Sequence, residues 1–238
     1  MTDVKKRQAC LDLGFQTDYR EAVFHVGPCN VEAYNWLVRW PSEFKTPFTC
    51  IFGPPGSGKT HLIHIWTKRH PSIWLTIELM GRPIQEVIRM GDCFVLDDAD
   101  RVRDETWLFH FLNSLQLAEH KFLLLTAEKP PNRWSIILPD LKSRLNLCQI
   151  LGLYLPDDAT CLAVFNKIVR NKGVVLKERY IHYILSRIDR SYASIFSWAQ
   201  IFEDLLKSGQ IVNFSAINRL LQERMEGRKA RLSIDSDQ

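Results

Sequence analysis

The run Gly53, Pro54, Pro55, Gly56, Ser57, Gly58, Lys59, Thr60 fits the spacing G-x-x-x-x-G-K-[ST] at every fixed position. Its glycines let the chain curl so that backbone N–H groups surround an anion. Lys59 reaches the terminal phosphates of a nucleotide, and the Thr60 hydroxyl is a ligand for Mg²⁺. His61 follows directly at the head of a run of helical spacing and is counted with the loop among the nucleotide-binding residues. A second stretch, Phe94-Val95-Leu96-Asp97-Asp98, places two carboxylates at the end of an apolar run. In that position Asp97 holds Mg²⁺ through water, and Asp98 orients or deprotonates an attacking water. A third, Leu123 to Glu128, ends in Thr126 and Glu128, polar groups suited to a γ-phosphate.

These residues act together only if strands and helices bring them to one edge. The pattern predicts strands in PFTCIFG, IWLTI, CFVLDD, KFLLLTAE and CQILGLYL, each followed by a turn or a helical run. Alternating strand and helix predicts an α/β domain with a five-stranded parallel sheet covered on both faces, and ligands bind such sheets at the C-terminal ends of the strands. From Pro156 onward only helical patterns remain. Asp157 or Asp158 caps the first of them, with Gly173 beyond its end. Ile181, Ile184, Ile195, Trp198 and Phe202 fall on inner faces of those that follow. This predicts a leader over 1–15, a nucleotide-binding α/β domain over 16–155, a small all-α lid over 156–226 and a disordered tail over 227–238.

Composition excludes several classes. The chain has 238 residues, 46% of them hydrophobic, and a net charge of +4, which permits contact with nucleic acid without demanding it. Its longest apolar runs are too short to span a bilayer, and the charged N-terminus lacks a signal-peptide core. The six cysteines are scattered without a CxxC pair, as expected of reduced core thiols in a cytoplasmic protein. The basic end of the chain is expected to be a solvated helix terminus.

In order, GPPGSGKTHL, FVLDDAD, LLLTAEKPP and LPDLKSRL, followed by a helical lobe, resemble the AAA+ ATPase module of bacterial DnaA-type initiators. The shorter DnaA-related regulators of the Hda type are more similar still. The resemblance runs from about Asp18 to Arg224. It implies ADP or ATP as ligand with Mg²⁺, and a backbone approach to adenine near Val26. Arg144, within LKSRL, is implied to be an arginine finger presented to a neighbour's nucleotide. Two departures matter. The chain ends shortly after its last helix, so no double-stranded DNA reader is expected. Ala193 also stands where the family places a phosphate-contacting lid Arg, and Arg190 lies three residues earlier.

The leader carries Gln8, Leu11 and Leu13, which resemble the short peptide by which bacterial replication proteins bind the sliding clamp (the β subunit of the polymerase). The alternative is that these leucines cover the edge of the folded module. The resemblance thus implies a negative regulator of replication initiation that associates with the clamp and promotes hydrolysis of DnaA-bound ATP. It implies contact with DNA only through the clamp, no membrane, and possible self-association. Two further readings stay open: a self-sufficient ATPase of the helicase-loader type, and a nucleotide-bound scaffold without a catalytic contribution.

Overall fold

The structure, a computed structural model, describes residues 24–44, 46–173, 176–208 and 213–223. A five-stranded sheet forms the centre, with strand order β2-β3-β4-β1-β5 and every pairing parallel. The strands are β1 (Phe48–Phe52), β2 (Ser72–Trp74), β3 (Cys93–Leu96), β4 (Phe122–Ala127) and β5 (Gln149–Gly152). Central β4 is buried along its whole length, as its apolar run requires. Alternate side chains enter opposite layers. Phe94, Leu96, Leu123, Leu125 and Ala127 pack with α4 (Ile84–Arg89), α5 (Glu105–Leu117) and α6 (Pro139–Leu145). Val95, Phe122 and Leu124 pack with α1 (Val31–Arg39) and α2 (Lys59–Arg69).

The predicted strand IWLTI is shorter than its sequence suggests. β2 is the edge strand and stops at Trp74. The Thr76 hydroxyl then accepts the Leu79 N–H and starts a one-turn helix, α3 (Ile77–Met80). β5 likewise ends at Gly152, before the predicted LYL.

The C-terminal helices α7 (Asp158–Asn171), α8 (Glu178–Leu185), α9 (Tyr192–Lys207) and α10 (214–223) share a core of their own, with Phe165, Ile181, Ile195, Trp198 and Phe202 at its centre. Asp157, of the two candidates, is the cap of α7: its carboxylate accepts the Thr160 N–H at 2.7 Å. Gly173 follows the helix with φ +75°, a left-handed conformation that glycine adopts without steric cost. Lys172 at the end of α7 and Lys207 both pair with Glu203 of α9.

Trp66, Trp107 and Trp198 are buried, as their helical spacing predicts. Cys50, Cys93, Cys148 and Cys161 are buried free thiols, while Cys29 is half-buried. Burial pushes Cys148 up to about 12, so it stays protonated and inert at neutral pH. Among the described residues, no helix is long and apolar enough to cross a membrane.

Candidate nucleotide site

The loop from Gly53 to Gly58 joins the C-terminal end of β1 to the N-terminus of α2. It is built for close backbone packing. The Gly53 N–H donates to the Ala127 carbonyl at 3.1 Å, and a Cβ on Gly53 would stand 2.2 Å from the Leu153 carbonyl oxygen, so no side chain fits. Gly56 and Gly58 have φ of +76° and +102°, the left-handed region. The Ser57 N–H between them closes the turn on the Pro54 carbonyl at 3.2 Å, just before α2 begins.

The side chains of the loop match an anion. Lys59 is 9% exposed, and its ammonium donates to the carbonyls of Gly53 at 2.7 Å and Pro54 at 3.2 Å. The Ser57 hydroxyl oxygen is buried with no hydrogen-bond partner among the described residues. A buried hydroxyl left unpaired is costly, and a phosphate oxygen would satisfy it. Thr60, next in the helix, is exposed and free to face a metal.

The acids stand where their strand ends. Asp97 and Asp98 follow β3 directly, and Thr126, in neighbouring β4, is fully buried beside them. The Thr126 hydroxyl donates to the Asp97 carboxylate and accepts the Asp98 N–H at 3.1 Å. Asp98 has φ +50°, in the left-handed region that is uncommon for non-glycine residues but that Asp adopts more readily than most. Thr126 is thus the polar group of β4 that contacts both acids. Glu128 is instead held by Arg101 at 2.6 Å, and Arg101 also lies 3.5 Å from Asp98. The Glu128 N–H donates to Asp100 at 3.0 Å. Among the described residues, no group of three or more His, Cys, Asp or Glu is arranged to hold a metal.

Val26, expected to approach the adenine, is 39% exposed and lies on the segment leading into α1. Asn30 fixes that segment: it accepts the Gly27 N–H and donates to the His25 carbonyl, both at 2.9 Å. Phe24 stacks on Tyr34 and meets the edge of buried His61, so His61 supports this wall from α2.

The C-terminal helices close over the loop. A Cβ on Gly56 would stand 2.8 Å from Ser191 Cβ and 3.5 Å from Ala193 Cβ. Position 193 therefore overlooks the loop and carries only a methyl group. Arg190 is turned away and pairs with Asp158 at 2.8 Å.

Arg144 is elsewhere. It lies near the end of α6 and donates to Gln116, near the end of α5. Both helices run back to the start of a strand, α5 to β4 and α6 to β5. Arg144 therefore lies toward the N-terminal edge of the sheet, and the loop lies at its C-terminal edge. The clamp-like residues Gln8, Leu11 and Leu13 fall outside the described residues. The sequence reading missed Arg101, Asp100, Asn30 and Tyr192. Asp100 closes the FVLDDAD run and Tyr192 adjoins Ala193, but no residue type or spacing in the sequence shows their partners.

No protein-family profile matches the chain. In sequence it is 26% identical over 182 residues to an uncharacterised protein of Haemophilus influenzae, covering 71% of this chain and 79% of that one. It is 26% identical over 227 residues to the chromosomal replication initiator DnaA of Nautilia profundicola, covering 86% and 49%. For DnaA of Thermus thermophilus the identity is 28% over 191 residues, covering 69% and 43%. The chain thus spans about half the length of these DnaA proteins, or somewhat less. In structure it resembles domain III of Thermotoga maritima DnaA, with TM-score 0.71 and 20% identity over 87% of this chain and 96% of that one. A DnaA structure bound to AMPPCP and single-stranded DNA gives TM-score 0.69 and 20% identity, covering 93% and 73%. The Thermotoga maritima RuvB branch-migration motor gives 0.63 and 17%, covering 83% and 69%. The chain has the AAA+ fold seen in DnaA domain III, and its sequence is similar to that of the replication initiator DnaA.

Proposed function

We propose that the chain binds ADP or ATP with Mg²⁺ at Gly53–Thr60 and acts in the cytoplasm as a regulator of replication initiation. The loop glycines, the orphan Ser57 hydroxyl and buried Lys59 support nucleotide binding. Thr60 and Asp97 would hold Mg²⁺, which neutralises phosphate charge when bound. Thr126 orients Asp97, and Asp98 is the candidate base. DnaA structures carrying AMPPCP share the fold, which supports the same ligand class.

The observation that carries the regulatory reading is the separation of Arg144 from its own loop. An Arg at the opposite edge of the sheet cannot serve the nucleotide of its own chain, but it can serve a neighbour's. In this reading the helices over 156–226 form a lid, and the leader over 1–15 uses Gln8, Leu11 and Leu13 to dock on the sliding clamp. From the clamp the protein meets ATP-bound DnaA and supplies Arg144 to its nucleotide. It reaches DNA only through the clamp, and its AAA+ edges permit self-association.

The paired acids after β3 favour a second reading, a self-sufficient ATPase of the helicase-loader type. Turnover of DnaA-bound ATP with and without this protein and DNA-loaded clamp separates the two. The regulator accelerates DnaA turnover in a clamp-dependent way. The self-sufficient enzyme hydrolyses ATP rapidly by itself and leaves DnaA turnover unchanged.

A further inference from the structure

Tyr192 connects three segments around the phosphate loop. Its N–H donates to the Gly56 carbonyl at 3.0 Å. Its ring lies against Gly58, where a Cβ would stand 3.7 Å from its Cδ2. Its hydroxyl accepts from Asn30 at 3.2 Å and lies 3.3 Å from Cys29 Sγ. Asn30 is itself buried and fixes the backbone of His25 and Gly27, on either side of Val26. The first residue of α9 thus touches both the phosphate side and the base side of the site. It is 7% exposed, so these contacts are shielded from competing water.

Its neighbour sharpens the point. Ala193 overlooks Gly56 with a methyl group, which makes no hydrogen bond to a phosphate. The hydrogen bonds that hold the start of α9 here run from Tyr192 to protein atoms. None of them depends on a γ-phosphate.

We propose that Tyr192 is a latch that keeps the C-terminal helices on the phosphate loop whether the nucleotide is a diphosphate or a triphosphate, so that nucleotide leaves only when its contacts break. The proposal rests on nucleotide binding at Gly53–Thr60. Opening the latch leaves the Asn30 amide and the Gly56 carbonyl without these partners and loosens the Val26 segment. Tyr192 is a positioning residue in this account.

The test is stopped-flow release of a fluorescent N-methylanthraniloyl ADP, and of the matching non-hydrolysable ATP analogue, from the full chain. Tyr192→Phe keeps the ring and removes the hydroxyl. It should speed release of both nucleotides about fivefold, the scale of one lost buried hydrogen bond. Tyr183→Phe is the matched control. It removes a hydroxyl that donates to Asn218 at 2.6 Å between α8 and α10. It should lower Tm and leave release unchanged. Equal acceleration in both variants would show a general loosening of the helices and overturn the latch. Unchanged release in Tyr192→Phe, with the labelled ADP bound, would overturn it too. Failure of the wild-type chain to bind the labelled ADP would overturn the nucleotide reading first and the latch with it.

Discussion

The Thr126 hydroxyl donates to the Asp97 carboxylate, and its oxygen accepts the N–H of Asp98. One buried side chain therefore holds the Asp97 carboxylate and the Asp98 backbone, and its removal tests whether the two acids work as a unit. Thr126→Val keeps the shape and β-branching of a buried strand residue. It leaves the Asp98 N–H without this acceptor, at a cost of about 1–3 kcal/mol in stability. ADP affinity should fall little, while intrinsic ATP turnover should fall at least tenfold. Turnover equal to wild type in a folded variant would show that the acids do not depend on Thr126.

Lys59 donates to two loop carbonyls from a buried position, which hold its ammonium within the loop while leaving its charge unneutralised for a phosphate. Lys59→Ala should abolish or greatly weaken ADP and ATP binding by isothermal titration. Unchanged affinity in a folded variant contradicts the site.

Position 193 is a natural experiment in lid chemistry. With a methyl group over Gly56, the wild-type chain should bind ADP at least as well as ATP and hydrolyse ATP slowly. Ala193→Arg places a cation over the loop and should shift the preference severalfold toward ATP. Titration of both nucleotides against both proteins measures this. A strong ATP preference in the wild type would contradict it.

Much of this was legible in sequence because it depends on local residue types. The loop needs glycine where φ is positive, and Gly56 and Gly58 supply it. The FVLDD and FLLLT runs read as buried strands because both faces of a parallel sheet exclude water. The place of Arg190 was misread, because three residues along a helix turn about 300° and so return to nearly the same face. What takes Arg190 off the loop is its position before α9, where it pairs with Asp158. What could not be read is pairing between distant segments. Arg101 meets Glu128, and Tyr192 meets Cys29 and Asn30, across separations that no periodicity encodes. The end of β2 was misplaced for a related reason. Thr76 is a good strand residue by propensity, but at a sheet edge its hydroxyl caps a helix instead.

Glu203 gives the helical cluster a pH dependence. Hydrogen bonds from Lys172 first and Lys207 second hold its carboxyl down to about 2. The folded value lies below the ordinary Glu range. The contribution is therefore full above that range and is lost as pH falls toward about 2. Glu203→Gln should lower Tm at neutral pH by about 2–4 °C, equivalent to roughly 1 kcal/mol, and the gap to wild type should close in acid. A gap that persists at the lowest pH would assign the effect to packing.

As proposed above, Arg144 serves a neighbour's nucleotide. The most direct test is single-turnover hydrolysis of DnaA-bound ATP in the presence of DNA-loaded clamp, comparing wild-type protein with Arg144→Ala. Loss of a trans finger should reduce the stimulated rate by orders of magnitude, about 10³–10⁵ in full effect. Nucleotide binding at Gly53–Thr60 of the variant should stay intact, because Arg144 lies toward the other edge of the sheet. Equal stimulation by the two proteins would contradict the account and leave Arg144 as the Gln116-bonded surface residue of α6.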